Sequence, residues 1–390
     1  MTDIQALKAS SLKQYTIMHL DRRVASIHSD GTCVIHAPSF LPYNLYLEKA
    51  GKEDIDARVN NLNNFYYWCA SRILTLDRKY AKEILNSIGA TQAVTDKERA
   101  SIALAYHCVT LTDVFWTRGF REKISYDQIC LFDHSLSDAF VDVSLRGKAL
   151  TAQNAKLIAA SDTAGDVSTK GAAPKAWIRR NGTFYLLKDG DPKEVDAELL
   201  ASQIVRCFAM SQVLYEPFEY DGQKVSSSEL MTSKEYSIVP MEYIDVFAAN
   251  HDTDIYQLIH QHDLRGYYMM NIVDYLIGNT DRHWGNWGFL VNNKTNRLIR
   301  LFPLMDFNKA FLSYDTIEGS RCLTTDRPMS QMEAALEAVR HIGLGQEKPF
   351  PCQLFKDAAQ RDMFQKRVSI LQAALKKSVN CNRRRAQSEK

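Results

Sequence analysis

The segment Asn279-Thr280-Asp281-Arg282-His283-Trp284-Gly285-Asn286 gathers three Asn or Asp residues, an arginine and a histidine within one short stretch. Loops held on rigid supports are where chemistry concentrates. Before it runs an apolar pattern at helical spacing, Tyr268, Ile272, Tyr275 and Leu276, closing at Gly278; after it comes an extended run, Trp287 to Val291. A second extended run, Arg297 to Phe302, follows the polar loop Asn292-Asn293-Lys294-Thr295-Asn296, which is of hairpin length. With Val291 opposite Arg297, Asn286 falls opposite Phe302, and Asp306 lies only a few residues beyond. A carboxylate and a carboxamide brought together beside Asp281 are oxygen ligands for a hard cation such as Mg²⁺, which keeps its waters and shares substrate phosphates. The chemistry this predicts is phosphoryl transfer. Asn286 and Asp306 hold the metal, and Asp281 takes the proton of an attacking hydroxyl. His283 is a second catalytic candidate, although a packed or hydrogen-bonded ring in the loop explains it equally well.

An Asp, four residues, an Asn, a hairpin and an Asp-Phe pair form the order found in protein kinases. Such an enzyme needs a lysine that reaches nucleotide phosphates and a helix glutamate that holds it. Lys188 ends the strand-like Phe184-Tyr185-Leu186-Leu187, and Glu198 is the expected partner. Glu194 lies one helical turn earlier on the same side and is the rival. Lysines beside turns such as Asp189-Gly190 are also ordinary solvated strand ends. Upstream, Trp177 to Arg179 and Thr183 to Leu187 flank Asn181-Gly182, a dipeptide suited to a type I′ turn, so a hairpin is expected. A helix from about Glu194 to Met210 and a strand from Tyr236 to Tyr243 complete a small lobe. Helices near Ser330 to Ile342 and Leu354 to Leu375 make a helical remainder.

The rest of the chain bounds the function. A net charge of +2, from 48 basic and 46 acidic residues, gives no global pull toward nucleic acid or an anionic membrane. The 8 cysteines are scattered, without the spacing of a zinc site or disulfide framework. No apolar run reaches the roughly 18 residues that would span a bilayer, so a cytoplasmic address is expected. In the first third, Phe65, Cys69, Ile73 and Leu76 mark one buried helical face. Thr95 and Glu98 form a capping box ahead of Ile102, Ala105 and Tyr106. The polar stretch from Thr151 to Gly171 reads as a linker or mobile loop. The expected organisation is an N-terminal helical-rich region over 1–150, a small lobe over 151–246, a helical C-terminal lobe over 247–378 and a disordered basic tail over 379–390.

Across Ser168 to Phe311 these residues resemble the HipA-like serine/threonine protein kinase family. Gly171-Ala172-Ala173-Pro174-Lys175 is similar to its phosphate loop, Met241-Glu242-Tyr243-Ile244-Asp245 to its hinge, and Thr280-Asp281, His283 and Asn286 to its catalytic loop. Leu111-Thr112-Asp113-Val114-Phe115-Trp116 resembles a shorter, Gram-positive-type branch. The resemblance implies an α+β, bilobal, protein-kinase-like fold with a mostly helical C-terminal lobe and an added N-terminal region. It implies ATP and Mg²⁺ as cofactors, with backbone groups of Glu242 and Ile244 on the adenine edge. It further implies transfer to a serine or threonine of an unidentified protein substrate and autophosphorylation at Ser168, with Ser161 and Thr169 as fallback sites. Toxin-type action restrained by an antitoxin partner also follows from it, with no direct nucleic-acid binding and no membrane. Two departures stand out: Gly285 replaces a lysine of the better-known members, and Asn308 follows Asp306-Phe307 where eukaryotic kinases have glycine. Phosphate neutralisation would then fall to Arg282 or His283. A pseudokinase, a nucleotide-binding interaction module or an AMP-transferring enzyme is the alternative.

Overall fold

The computed structural model describes residues 14–87, 95–133, 138–147 and 173–388, excluding the side chains of 138–140 and 377–388. Ser161, Ser168, Thr169, Gly171 and the polar stretch around them lie outside the described residues.

The N-terminal part carries, beside its helices, a four-stranded sheet that the sequence pattern does not announce. Strands β1 (Gln14–His19), β2 (Arg22–His28), β3 (Cys33–Ile35) and β4 (Phe115–Gly119) pair antiparallel in the order β3-β2-β1-β4. Both faces of this sheet are covered. Ile17 packs into one apolar cluster with Phe65 and Trp68, while its neighbour Met18 packs into another with Trp116 and Tyr126. A strand buried on both sides loses the apolar-polar alternation that would announce it. Helices α1 (Ile55–Ala70), α2 (Ala81–Ser87), α3 (Asp96–Ala105) and α4 (Asp138–Arg146) surround the sheet. Phe65, Cys69 and Ile73 are buried, but α1 stops at Ala70 and Leu76 is exposed. Thr95 and Glu98 form the expected capping box on α3. Its buried residues are Ala100, Ala103 and Leu104, whereas Ala105 faces solvent.

The small lobe is a sheet of order β5-β6-β8-β7, formed by β5 (Lys175–Arg180), β6 (Thr183–Lys188), β7 (Tyr215–Tyr220) and β8 (Gln223–Glu229). Asn181 and Gly182, at φ 50° and 84°, make the tight turn between β5 and β6. Pairing sets Lys175 opposite Lys188 and Ala176 opposite Leu187. Because side chains alternate across a strand, the two lysines share one face with Trp177 and Leu186. Ala176 and Leu187 turn to the other face, where Val141 and Leu145 of α4 cover them. Helix α5 (Pro192–Val205) follows, capped by the Asp191 carboxylate on the Lys193 amide at 2.8 Å.

The third sheet, of order β11-β10-β9, opens the large lobe with β9 (Tyr236–Pro240), β10 (Gly288–Asn292) and β11 (Arg297–Leu301). Helices α6 (Met241–Asn250), α7 (Ile255–Ile277), α8 (Gln331–Ile342) and α9 (Ala358–Ser388) complete it. Gly278 ends α7 at φ 62°, and a Cβ there would lie 2.4 Å from the Tyr314 ring. The β10–β11 register differs from expectation by one residue next to the loop and by two beyond a bulge. Asn292 faces Arg297, a bulge falls at Leu290/Val291, and the Phe302 amide bonds the Gly288 carbonyl at 2.9 Å. Helix α9 runs to Ser388, through most of the segment expected to be disordered. Among the described residues no helix is long and apolar enough to cross a membrane.

His19, on β1, is buried between the Phe40 and Phe115 rings, and burial lowers its imidazole to about 4. Its folded value lies below the unfolded one, so the stabilisation is full above pH 6.5 and is lost as pH falls toward 4. The loss comes to roughly 3 kcal/mol. Urea titrations of wild type and His19→Phe across this window should show the extra acid sensitivity in wild type alone; parallel profiles would refute it.

Candidate active site

Strand alternation, the turn after α7 and the β10–β11 hairpin converge on one cleft of about 1050 Å³. Lys188 lies at its centre. Its ammonium is 2.6 Å from Glu198 Oε1 and 2.7 Å from Asp306 Oδ1, so one cation joins the small-lobe helix to the large lobe. Burial pulls this ammonium down, and Asp306 and Glu198 more than reverse the effect. Glu198 is itself only 1% exposed, and its second oxygen accepts from Ser226 Oγ at 2.5 Å. Glu194 goes elsewhere. It accepts from Asn308 Nδ2 at 3.3 Å and pairs with Lys309, also across the lobes.

Asp306 reaches Lys188 through a backbone at φ 63°, a left-handed conformation uncommon outside glycine and asparagine. Its amide donates to the buried Tyr215 hydroxyl at 3.1 Å, and Phe307 behind it is fully buried. Burial raises the Asp306 carboxyl, but Lys188 and Lys175 outweigh that and hold it well below the usual carboxylate range. The carboxylate is therefore ionised at neutral pH.

The loop after α7 is a compact turn. The Asp281 carbonyl accepts from the His283 amide at 2.9 Å and from Asn286 Nδ2 at 2.5 Å. The Gly285 amide donates to His283 Nδ1 at 3.0 Å, which places the proton of a neutral ring on Nε2. A Cβ on Gly285 would come within 2.9 Å of the His283 ring, so the glycine leaves room for the histidine. Asp281, His283, Asn286, Lys188 and Asp306 all line the same cleft.

Two expectations need correction. Glu242 and Ile244 stand in the first turn of α6, which begins right after Pro240. The Met241 and Glu242 amides, which a helix start leaves without intrahelical partners, donate to Trp287 and Trp284 carbonyls at 2.8 and 3.1 Å. Those bonds anchor the segment from Trp284 to Trp287 and occupy the Glu242 amide, and Ile244 is fully buried and does not line the cleft. Glu242 does line the cleft. Arg282, offered for phosphate neutralisation, is 3% exposed and bound within the lobe: to both Asp274 oxygens at 2.8 and 3.0 Å, to the Asn286 carbonyl at 3.2 Å and to the Met305 carbonyl at 2.5 Å. It holds the loop in place.

Lys175 is the site residue that sequence reasoning passed over. It lines the cleft beside Lys188, and burial lowers its ammonium to about 8 while Asp306 opposes the change. Its position directly across the Asn181-Gly182 hairpin from Lys188 was the available signal. As for a metal, no group of three His, Cys, Asp or Glu side chains among the described residues is placed to hold one. The ionised Asp306 and the carboxamide of Asn286, whose Oδ1 accepts only a long 3.4 Å bond from Arg282 Nη1, line one cleft and fit a cation that would take its remaining ligands from water and phosphate.

No family model matches the sequence, and no curated protein does. Among solved structures, the Helicobacter pylori proinflammatory kinase CtkA is similar at 16% identity and a TM-score of 0.45, over 54% of this chain and 93% of that one. HipA of the Shewanella oneidensis MR-1 toxin–antitoxin system, solved with HipB and operator DNA, is similar at 10% identity and a TM-score of 0.48, over 94% and 90%.

The structural role of Arg282 is measurable. Arg282→Met leaves Asp274 buried without its cation and should cost about 3–5 kcal/mol in urea denaturation. A variant of wild-type stability with weakened nucleotide binding would instead make Arg282 a phosphate ligand.

Proposed function

We propose that this chain is a serine/threonine protein kinase that moves the γ-phosphate of ATP to a protein hydroxyl with Mg²⁺, its own serines included. The observation that carries the reading is the Lys188 ammonium held between Glu198 and Asp306, in the cleft that also receives Asp281 and Asn286. Few sites other than one for phosphoryl transfer need a lysine clamped by a helix carboxylate, an ionised Asp and an Asp/Asn loop together.

Lys188 and Lys175 neutralise and orient the nucleotide phosphates from the small lobe. Asn286 and Asp306 would hold magnesium, which when bound screens the charge on the transferred phosphoryl group. Asp281 accepts the proton of the attacking hydroxyl as the new O–P bond forms and the bond to ADP breaks. His283, at the exposed rim, positions the acceptor through its Nε2 proton. Catalysis of this kind rests on positioning and charge, so loss of one carboxylate removes rate without removing the fold.

Purified protein with γ-labelled Mg-ATP, alone and with casein as a generic acceptor, tests the reading. Asp281→Ala and Asp306→Ala should each lower label transfer by roughly a thousandfold; Asp281→Ala should leave the melting temperature nearly unchanged, whereas Asp306→Ala should lower it, because the buried Lys188 then keeps Glu198 alone as counter-ion. Transfer that survives either substitution would remove these roles. Nucleotide binding without transfer would favour an interaction module, and intact mass showing added AMP would favour nucleotidyl transfer.

A further inference from the structure

The strand ends that carry the two cleft lysines are anchored in part from outside the small lobe. Lys175 and Lys188 stand directly opposite each other on one sheet face, where like charges repel. The strand ends that carry them are tied together by the Asp189 amide on the Pro174 carbonyl at 2.9 Å. Beyond that tie, both anchors come from the N-terminal part. Arg78, between α1 and α2 and 3% exposed, donates through Nη2 to the Lys175 carbonyl. Arg146, in the last turn of α4, pairs with Asp189, the residue after Lys188, and donates to the Tyr220 carbonyl at 2.8 Å.

Arg78 lies close enough to Lys175 to act on its charge as well as its backbone: besides burial, Lys188 and Arg78 lower the Lys175 ammonium, while Asp306 and Glu198 raise it. The carbonyl that Arg78 grips belongs to the residue whose side chain enters the cleft, so movement of the arginine moves the lysine.

We propose that Arg78 is a positioning residue of the nucleotide site: it fixes the start of β5, and with it the Lys175 ammonium, so that the N-terminal part completes the phosphate-binding wall. The inference rests on the phosphotransferase reading. It predicts an effect on nucleotide affinity through a residue that touches no nucleotide.

Calorimetric titration with Mg-ADP, together with KM and kcat for ATP, tests it. Arg78→Met and the milder Arg78→Gln should raise the ADP Kd and the ATP KM at least fivefold, with kcat within twofold. Arg78→Lys, whose ammonium still reaches the carbonyl, should stay within twofold of wild type. Lys234→Ala serves as control, since it breaks another tie to the N-terminal part, to Asp127 and Asp133, away from the lysines. Wild-type affinity in a folded Arg78→Met or Arg78→Gln protein, or an equal loss in Lys234→Ala, overturns the role of Arg78 alone. If wild type binds no Mg-ADP, the phosphotransferase reading falls and this inference with it.

Discussion

A single ammonium group shared between two carboxylates organises this molecule. Lys188 stays charged in a buried place because Glu198 and Asp306 lie 2.6 and 2.7 Å away, and Lys188 and Lys175 in turn keep Asp306 ionised. Neither lobe supplies a balanced set by itself. The small lobe carries two lysines and one glutamate, and the large lobe carries the aspartate, so closing the cleft is also what neutralises it. Much local detail serves that meeting: the left-handed backbone at Asp306, the Tyr215 hydroxyl under its amide and the Ser226 hydroxyl on Glu198.

Around this centre, positioning is done by groups that sequence alone presents as candidates for chemistry. Arg282 looks like a phosphate ligand because it sits between Asp281 and His283, yet its partner Asp274 is on the buried side of α7. Met241 and Glu242 look like an extended hinge, yet Pro240 caps a helix and their amides fix the chain on either side of Asn286. In each case a polar group near the site is used to hold the loop, while Asp281, His283, Asn286 and Asp306 are among the residues that line the cleft.

What could be read in advance follows from range. The Asn181-Gly182 turn, the Thr95 capping box and the Gly278 helix end are decided by a few neighbouring residues, and they stand in the structure where expected. The choice between Glu194 and Glu198 is not local, because it depends on partners distant in the chain or on another element: Lys309 of the large lobe draws the first and Lys188 at the end of β6 holds the second. The N-terminal sheet was hidden for a different reason. Its strands are covered on both faces, so Thr16 to His19 show no alternation. Lys175 was named only as the last residue of a run similar to a phosphate loop, with no role for its side chain, which lines the cleft.

The cover that α4 lays over Ala176, Leu187 and Val225 bears on how far the molecule can be dissected. A fragment beginning at β5 would keep every side chain assigned to chemistry, yet it would bare a greasy sheet face and orphan the carbonyls that Arg78 and Arg146 now satisfy. Autonomy therefore belongs to the longer chain. Its first third acts less as an appended module than as the back wall against which the cleft-facing sheet is pressed.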